Sequence, residues 1–290
     1  MPPHRNGLHR RTVVIHEDDV GMTHGANAAF VDLCRRGNCT SGSIMVPCPW
    51  FPEAAAIQRE NPAFDLGVHL TLTSEKVPYR WRPLTRPGRS AGLTDADGYF
   101  WATIPELRQN ADPAAVEDEL RAQIETALAA GVNVTHLDCH MGGAMMPEFV
   151  ERYYQLGLDY DVPVLLVKDL SQFNPVSYAG PIATEPYDAV VSRAREDGHP
   201  VFDVVIESPW ERTDDARSAY RRLFEQIPEG LTYLALHFND VGDFEVIEPD
   251  KAHVRTEEYA FFKEETIHQW AGELDIDFIG MRALRETTRG

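Results

Sequence analysis

The 290-residue chain contains 43% hydrophobic residues, enough for a sizeable core, which excludes intrinsic disorder for most of its length. Its 27 Lys and Arg against 46 Asp and Glu give a net charge of −19, which repels nucleic-acid backbones and anionic lipid headgroups. No apolar run approaches the ~20 residues that span a bilayer. We therefore expect a soluble protein that has neither nucleic acid nor a membrane as its partner.

The N-terminal segment MPPHRNGLHRR carries positive charge but lacks the apolar centre of a secretion signal, and we expect a disordered tail over residues 1–11. The four cysteines show no CxxC spacing and are too few for a disulfide framework in a chain of this length. Both features are typical of a cytoplasmic protein. The sequence leaves the oligomeric state open, a homo-oligomer included.

Short β-branched segments recur along the chain and predict eight strands, separated mostly by segments of helical periodicity. The predicted strands are residues 12–21, 41–47, 65–72, 134–140, 163–169, 202–207, 231–238 and 275–281. The predicted helices are residues 23–37, 50–61, 111–131, 147–160, 187–197, 215–227 and 256–274. This alternation predicts an α/β fold with parallel strands, a TIM-like (β/α) barrel of seven or eight strands. An open doubly wound sheet is the alternative, but its glycine-rich phosphate loop is missing from the first turn, DDVGMTHG.

We expect a single domain over residues 12–290, because no repeat, low-complexity tract or linker divides the chain. One connection is unusually long: residues 74–112 show no clear apolar period and are rich in proline and glycine. This loop follows a predicted strand, which places it at the C-terminal face of a barrel. Long loops at that face are typically lids or binding loops.

Polar residues end several predicted strands, and these strand ends form the active-site face of a barrel. Taken alone, an Asp-Asp pair is more often a solvated turn or a helix cap, and a strand-end histidine is more often a core or rim residue. Ionisable groups are costly in one barrel interior unless a divalent ion binds them, and one carboxylate and two imidazoles from three separate strands would suit such an ion. The strand-end side chains that the sequence singles out are Asp18, Asp19, His69, Asp138, His140 and His237.

Four motifs in this order resemble the YdjC/ChbG family of carbohydrate deacetylases, from about Thr12 to Arg282. They are the DD pair of strand one, G-x-H-x-x-L-T at His69, THLD-x-H at His140, and a histidine after an apolar strand near the C-terminus. Further matches are T-x-G-x-N from Thr23 and R-x-x-E from Arg255 to Glu258. The chain departs from the family where it reads HEDDVG for NADDFG, THLDCHMGGA for THLDSHHHVH and LHFND for CHPG.

The resemblance implies that one divalent ion, Mg²⁺ or Zn²⁺, is bound by Asp19, His69 and His140. It implies that Asp18 is the general base and His237 the general acid, and that the substrate is an N-acetylated sugar or oligosaccharide that releases acetate. Supporting contacts behind these groups are expected from Asp138, Arg255 and Glu258. The residue types fit this chemistry, because a carboxylate that is not a ligand can take a proton from metal-bound water while an imidazole protonates the leaving amine.

The long loop carries aromatic and basic residues whose role the sequence leaves open. Tyr79, Trp81 and Trp101 either stack on a sugar ring or form the loop's own small core. Arg80 and Arg82 either meet an anionic group on the substrate or are solvated. All five are therefore predicted to contact the substrate, with packing inside the loop or exposure to solvent as the alternative.

Three other functions compete with sugar deacetylation. A metal-dependent amidohydrolase that acts on a non-sugar amide would use the same barrel groups. An Fe(II) oxygenase also binds its ion with two histidines and a carboxylate, but it has no need for Asp18 or for an acid at His237. A non-catalytic sugar-binding relative would have no reason to retain either of those two groups.

Overall fold

The computed structural model of the chain describes residues 11–77, 79–173, 176–264 and 266–288. Residues 1–10 of the predicted tail lie outside this part, and Arg11, its last residue, is instead the first residue of a strand. None of the helices described combines the length and the apolar character needed to cross a bilayer. The buried apolar side chains form one contiguous cluster.

A sheet of seven parallel strands lies at the centre of the described protein. The strands are β1 (Arg11–Val20), β2 (Ser41–Ile44), β3 (Leu66–Leu70), β4 (Val134–Cys139), β5 (Val204–Glu207), β6 (Gly230–Leu236) and β7 (Ile276–Phe278). Their hydrogen-bonded order is β4-β3-β2-β1-β6-β5, and β7 also pairs with β1. Every pair is parallel, as successive βα units require.

The predicted fifth strand, residues 163–169, lies between the two edges of this sheet. It makes isolated bridges instead of a ladder: Leu137 pairs with Val164 on the β4 side, and Val167 pairs with Phe202 just before β5. The sheet is therefore not closed by continuous pairing, but seven segments surround one interior. The predicted α/β barrel is confirmed in its irregular, seven-membered form.

The predicted eighth strand, β7, does not insert between β6 and β1, because those two strands pair directly from Arg11 to Glu17 of β1. The backbone N–H of Ile279 donates to Val13 at 3.0 Å, and that of Thr40 donates to Ile15 at 2.9 Å. Residues two apart in a strand use the same edge, so β7 and β2 share one edge of β1. Strand β7 thus supports the N-terminal end of the barrel, away from the two aspartates.

Helices cover the outside of the sheet. They are α1 (His24–Arg36), α2 (Phe51–Glu60), α3 (Ile104–Asn110), α4 (Pro113–Ala129), α5 (Val150–Asp159), α6 (Val176–Ala179), α7 (Glu185–Glu196), α8 (Ala216–Gln226), α9 (Phe244–Ile247), α10 (Pro249–Phe262), α11 (Thr266–Leu274) and α12 (Met281–Thr288). Local sequence explains several ends: the Thr23 side chain caps α1, which stops at Gly37 in a left-handed conformation, and Asp112 caps α4. The single helix predicted over residues 256–274 falls into two, α10 and α11.

The long connection over residues 74–112 folds upon itself. Thr73 pairs with Trp101 and Thr94 pairs with Phe100, so the segment doubles back on β3. It also contains α3, which the sequence analysis missed and which begins with a capping box between Thr103 and Glu106. The connection is therefore a small folded unit on the C-terminal face of the barrel.

Candidate active site

A cleft of about 270 Å³ opens at the C-terminal ends of the strands. Six residues that the sequence singled out line it: Asp18, Asp19, His69, His140, His237 and Arg255. Further lining residues that it did not assign to the site are Glu75, Lys76, Met141, Tyr178, Glu207, Trp210, Glu248 and Lys251. The cleft therefore lies where a barrel of parallel strands places its active site.

Both aspartates of β1 face this cleft because the backbone turns between them. Adjacent side chains of a regular strand point to opposite sides. Asp19 has a φ of 65°, a left-handed conformation that non-glycine residues seldom adopt, and Gly21 follows with a φ of 87°. The turn that brings both carboxylates to the cleft therefore begins at Asp19 itself.

Asp19, His69 and His140 form a group whose ligand atoms all lie within 4.8 Å of one another. Asp19 Oδ1 lies 3.2 Å from His140 Nδ1 and 3.6 Å from His69 Nε2. All three side chains are buried. One carboxylate oxygen and two imidazole nitrogens are a donor set suited to a divalent transition metal or Zn²⁺.

Carboxylates on the far side of each imidazole orient these two nitrogens. Asp138 Oδ1 lies 3.0 Å from His69 Nδ1, which leaves Nε2 toward Asp19. Glu75 Oε2 lies 3.0 Å from His140 Nε2, which leaves Nδ1 toward Asp19. Metal-binding histidines ordinarily donate their other N–H to a carboxylate, carbonyl or water in this way, so the residues present fit a metal ion.

The carboxylate of Asp19 is the least satisfied group of the site. Arg255 Nη2 lies 2.9 Å from its Oδ2, and His140 lies near Oδ1, yet neither oxygen has a well-aligned hydrogen bond. Burial opposes its charge, but Arg255 and His140 outweigh this and hold the pKa of Asp19 well below its usual range. An ionised, buried carboxylate with unaligned partners further supports a cation at this position.

In the absence of a cation, a proton occupies His140. Burial lowers the pKa of His140, but the negative charges of Glu75 and Asp19 outweigh burial and raise it to about 10. In turn, burial raises the pKa of Glu75, yet His140 and Lys76 bring it down to about 2. A metal ion bound at Nδ1 of His140 must therefore displace a proton.

Asp18 and His237 face each other beside this group. Asp18 Oδ2 lies 4.0 Å from His237 Nε2, and both side chains are slightly exposed to the cleft, 13% and 14%. Burial raises the pKa of Asp18 well above its usual range, and Asp138 and Asp19 add to this against the opposing charge of His69. Burial, aided by the charge of Arg255, holds the pKa of His237 well below its usual range. The metal-free site thus favours a protonated Asp18 and a neutral His237.

Contacts behind His237 hold it in place. Ser208 Oγ lies 2.9 Å from His237 Nδ1, and the Trp210 ring centre lies 4.7 Å from the imidazole. Glu258 accepts from the backbone N–H of His237 at 2.6 Å and from the hydroxyl of Tyr220. Glu258 therefore supports the backbone of the predicted acid.

The titration of Glu258 is expected to affect stability. Burial raises its pKa from 4.5 to about 7, so folded protein binds more protons than unfolded protein between these values. The stability contributed by this group is complete below about pH 4.5 and is lost as the pH rises through 7, by roughly 3 kcal/mol. When the free energy of unfolding is measured by denaturant titration at several pH values in this range, it should fall less with rising pH for Glu258→Gln than for the wild type. Parallel pH dependences of the two proteins would contradict the assignment.

The predicted substrate residues of the long loop lie elsewhere. Trp81 is buried and donates from Nε1 to the Thr73 carbonyl, Trp101 donates to that of Gly92, and Tyr79 donates to that of Met22. These aromatic side chains do not line the cleft.

The two arginines of that set also bond within the loop. Arg80 contacts Asp95 at 3.1 Å and the carbonyl of Phe100, and Arg82 stacks on Tyr99 with its Cζ 4.0 Å from the ring centre. Neither lines the cleft. The contacts of Trp81 and Trp101 match the loop core that the sequence left open as an alternative, whereas Tyr79 joins the loop to Met22. For Arg80 and Arg82 the alternative was solvation, and the structure shows bonds within the loop instead.

Several cleft residues carry weak signals in the sequence. Glu207 ends β5, so its strand-end position was visible, and Trp210 follows it by three residues. Glu75 and Tyr178 come from connections between strands, whose approach to the cleft only the tertiary structure sets. No spacing rule identifies such residues.

Comparisons with known proteins agree with this site. The sequence profile of the YdjC-like protein family matches residues 12–273. A carbohydrate deacetylase of Thermus thermophilus is 35% identical over 228 residues, which cover 79% of this chain and 77% of that protein. A carbohydrate deacetylase of Thermoanaerobacter pseudethanolicus is 30% identical over 152 residues, 52% of this chain and 59% of that protein.

Solved structures show the same fold. The crystal structure of a candidate cellobiose-phosphate cleavage protein from Enterococcus faecalis V583 superposes with a TM-score of 0.76 at 19% identity, covering 95% of this chain and 99% of that one. This likeness shows the fold, and the family profile and the Thermus relative confirm the resemblance seen in the motifs. The chain belongs to the YdjC-like protein family.

Proposed function

We propose that this protein is a metal-dependent hydrolase that removes the acetyl group from an N-acetylated sugar or oligosaccharide. The observation that carries the proposal is that one cleft contains three side chains that could hold a metal ion, Asp19, His69 and His140, together with Asp18 and His237. Relatives named carbohydrate deacetylase support the substrate class.

Asp19, His69 and His140 would hold the ion. When bound, a divalent ion such as Zn²⁺ or Mg²⁺ supplies Lewis-acid polarisation of the acetyl carbonyl and acidifies water. Asp18 is not one of these three side chains, although it could also hold an ion together with His69 and Asp138. In this proposal its carboxylate instead takes a proton from the attacking water. Arg255 contributes by keeping Asp19 ionised.

His237 is the group that returns a proton to the leaving amine. Its depressed pKa makes the resting imidazole neutral, and the same depression makes the protonated form a strong acid. The proton that it delivers must reach it during the reaction, and Asp18, at 4.0 Å, is placed to carry it. Ser208 fixes the other ring nitrogen, so Nε2 faces the cleft side where Asp18 lies.

The direct test is acetate release. Purified protein with added Zn²⁺ or Mg²⁺ is incubated with N-acetylated monosaccharides and chito-oligosaccharides, and acetate is measured enzymatically. We expect acetate and an equal amount of free amine. Acetate from N-acetylated amino acids but from none of the sugars would instead favour the amidohydrolase that acts on non-sugar amides.

Trp210, like Tyr178, is an aromatic side chain that lines this cleft, and its ring lies 5.3 Å from Arg255 Cζ as well as beside His237. We expect Trp210→Ala to raise KM by about 3- to 10-fold, the effect of losing one aromatic contact, and Trp210→Phe to recover most of it. Arg82→Ala is the matched control, because Arg82 lies outside the cleft. Equal KM changes in Trp210→Ala and Arg82→Ala would contradict this placement of the substrate.

A further inference from the structure

A chain of buried polar side chains leads from Asp18 into the barrel. His16 Nδ1 lies 2.7 Å from Asp18 Oδ1, and His16 Nε2 lies 2.9 Å from His136 Nε2. His136 Nδ1 lies 2.9 Å from Thr135 Oγ1, and the Thr135 hydroxyl donates to Asp65 Oδ1 at 2.5 Å. Asp65 immediately precedes β3, so the chain crosses from the catalytic end of the barrel to the opposite end.

Counting hydrogens gives this chain a direction. Thr135 donates its hydroxyl hydrogen to Asp65 Oδ1, so its own oxygen is left to accept from His136 Nδ1–H. His136 Nε2 is then bare and accepts from His16 Nε2–H. The remaining contact, between His16 Nδ1 and Asp18 Oδ1, contains one hydrogen. Whether that hydrogen is on the imidazole or on the carboxyl, it forms a hydrogen bond between His16 and Asp18.

We propose that His16 is a positioning residue for Asp18, and that His136 and Thr135 fix His16 in turn. This inference rests on the proposed function, because it takes Asp18 as the general base. The contact with His16 occupies Oδ1 of Asp18, which leaves Oδ2 as the oxygen nearer to His237. In this arrangement Oδ1 is fixed by the hydrogen bond to His16, and Oδ2 is the oxygen that takes the proton.

The packing of His16 supports a fixed orientation. The ring is fully buried and stacks on Tyr233, with ring centres 4.7 Å apart and planes inclined by 29°. Tyr233 donates to Asp138, which also orients His69, so the same buried layer supports the base and a metal ligand. A buried polar network of this kind restrains its members when every one has a partner.

Two substitutions test the role of His16. His16→Phe keeps a flat ring on Tyr233 but removes both nitrogens, and we expect kcat for acetate release to fall about 10- to 100-fold with KM within about twofold. His16→Asn keeps an N–H near the position of Nδ1 and should recover a large part of that loss. Retention of wild-type kcat by His16→Phe, while Asp18→Asn is inactive, would overturn the inference and leave the proposed function standing.

A substitution remote from the cleft tests the chain itself. Thr135→Val keeps side-chain shape but removes the hydroxyl, and we expect about a fivefold lower kcat at unchanged KM. Thr232→Val is the matched control, because Thr232 is equally buried and its hydroxyl has no hydrogen-bond partner within the described residues. Equal effects of the two substitutions would show a general loss of packing and would overturn the positioning of His16 through Thr135.

A readout independent of activity is the tautomer of each ring. In protein labelled with ¹⁵N-histidine, the metal-free wild type should show His136 protonated at Nδ1 and bare at Nε2, and Thr135→Val should alter that signal. The opposite tautomer of His136 in the wild type would overturn the chain. Because His16, His136 and Asp138 also lie close enough to bind an ion, loss of bound Zn²⁺ in His16→Asn would assign His16 to a metal site and equally overturn the positioning role.

Discussion

Replacing His69 or His140 by alanine is expected to abolish binding of the divalent ion and with it nearly all acetate release. Each imidazole supplies one of the three atoms grouped within 4.8 Å, and each is aimed by a carboxylate behind it. Loss of an outer partner of a metal ligand already costs about 10- to 100-fold in affinity or activity, so loss of the ligand itself should exceed this.

The measurement is elemental analysis after dialysis against Zn²⁺, together with calorimetric titration of metal-free protein. His24→Ala is a matched control, because His24 is 58% exposed and pairs with Glu53 away from the cleft. Circular dichroism should show the same fold in all three variants. Equal ion content in the wild type, His69→Ala and His140→Ala would refute the site.

The same titration has an expected pH dependence. In metal-free protein the pKa of His140 is about 10, so binding at neutral pH releases a proton from its imidazole. Affinity for the ion should therefore rise as the pH increases toward 10 and fall as it decreases. Removing Glu75, as in Glu75→Gln, takes away a negative charge that raises this pKa, and the pH dependence should become shallower at alkaline pH.

The strands could be predicted from the sequence, but their partners could not. A β-branched run such as residues 163–169 predicts an extended segment, and the segment is present between β4 and β5. Whether it forms a ladder or only isolated bridges depends on neighbours that are distant in sequence. For the same reason β7 was identified as a strand while its place beside β2, at the N-terminal end of β1, was not.

The long loop shows a different limit. Its composition reveals the arginines and aromatics but not which atoms they meet. Arg80 finds Asp95 and a backbone carbonyl within the loop, and Trp81 finds the Thr73 carbonyl, so the loop satisfies its own polar groups. Local charge along a sequence therefore does not show whether an arginine meets a substrate, solvent or a partner within its own loop.

That the proposed metal and acid–base residues meet in one cleft could be predicted, because parallel strands bring their C-terminal ends together. Asp19 and His69 lie at the C-terminal ends of β1 and β3, and His140 directly follows β4, so one rule about strand ends placed all three at one face. Glu75 lies five residues beyond the end of β3, where no periodicity sets the direction of a side chain. Its contact with His140 follows from how the loop folds back, which only the structure shows.

Asp18→Asn is expected to keep the ion and the fold while lowering kcat by about 10²- to 10⁴-fold, the range for loss of a general base. The amide can still meet His16 Nδ1 through an N–H, so the side chain should stay in place and the loss should fall on proton transfer. Asp18 is suited to that transfer because burial raises its pKa well above its usual range, which makes its carboxylate a stronger base.

The measurement pairs acetate release with ion content for the wild type, Asp18→Asn and Asp203→Asn. Asp203 is the matched control, since it is 38% exposed, pairs with Lys168 and lies outside the cleft, at the N-terminal end of β5. We expect full ion content in all three proteins and loss of kcat in Asp18→Asn alone. Loss of the ion from Asp18→Asn would make Asp18 a ligand, whereas a near-wild-type rate would move the base elsewhere.

His237→Gln should lower kcat for N-acetylated sugars, because their leaving amine must be protonated. The loss should be smallest for substrates whose leaving group needs no proton, such as an acetyl ester of a phenol.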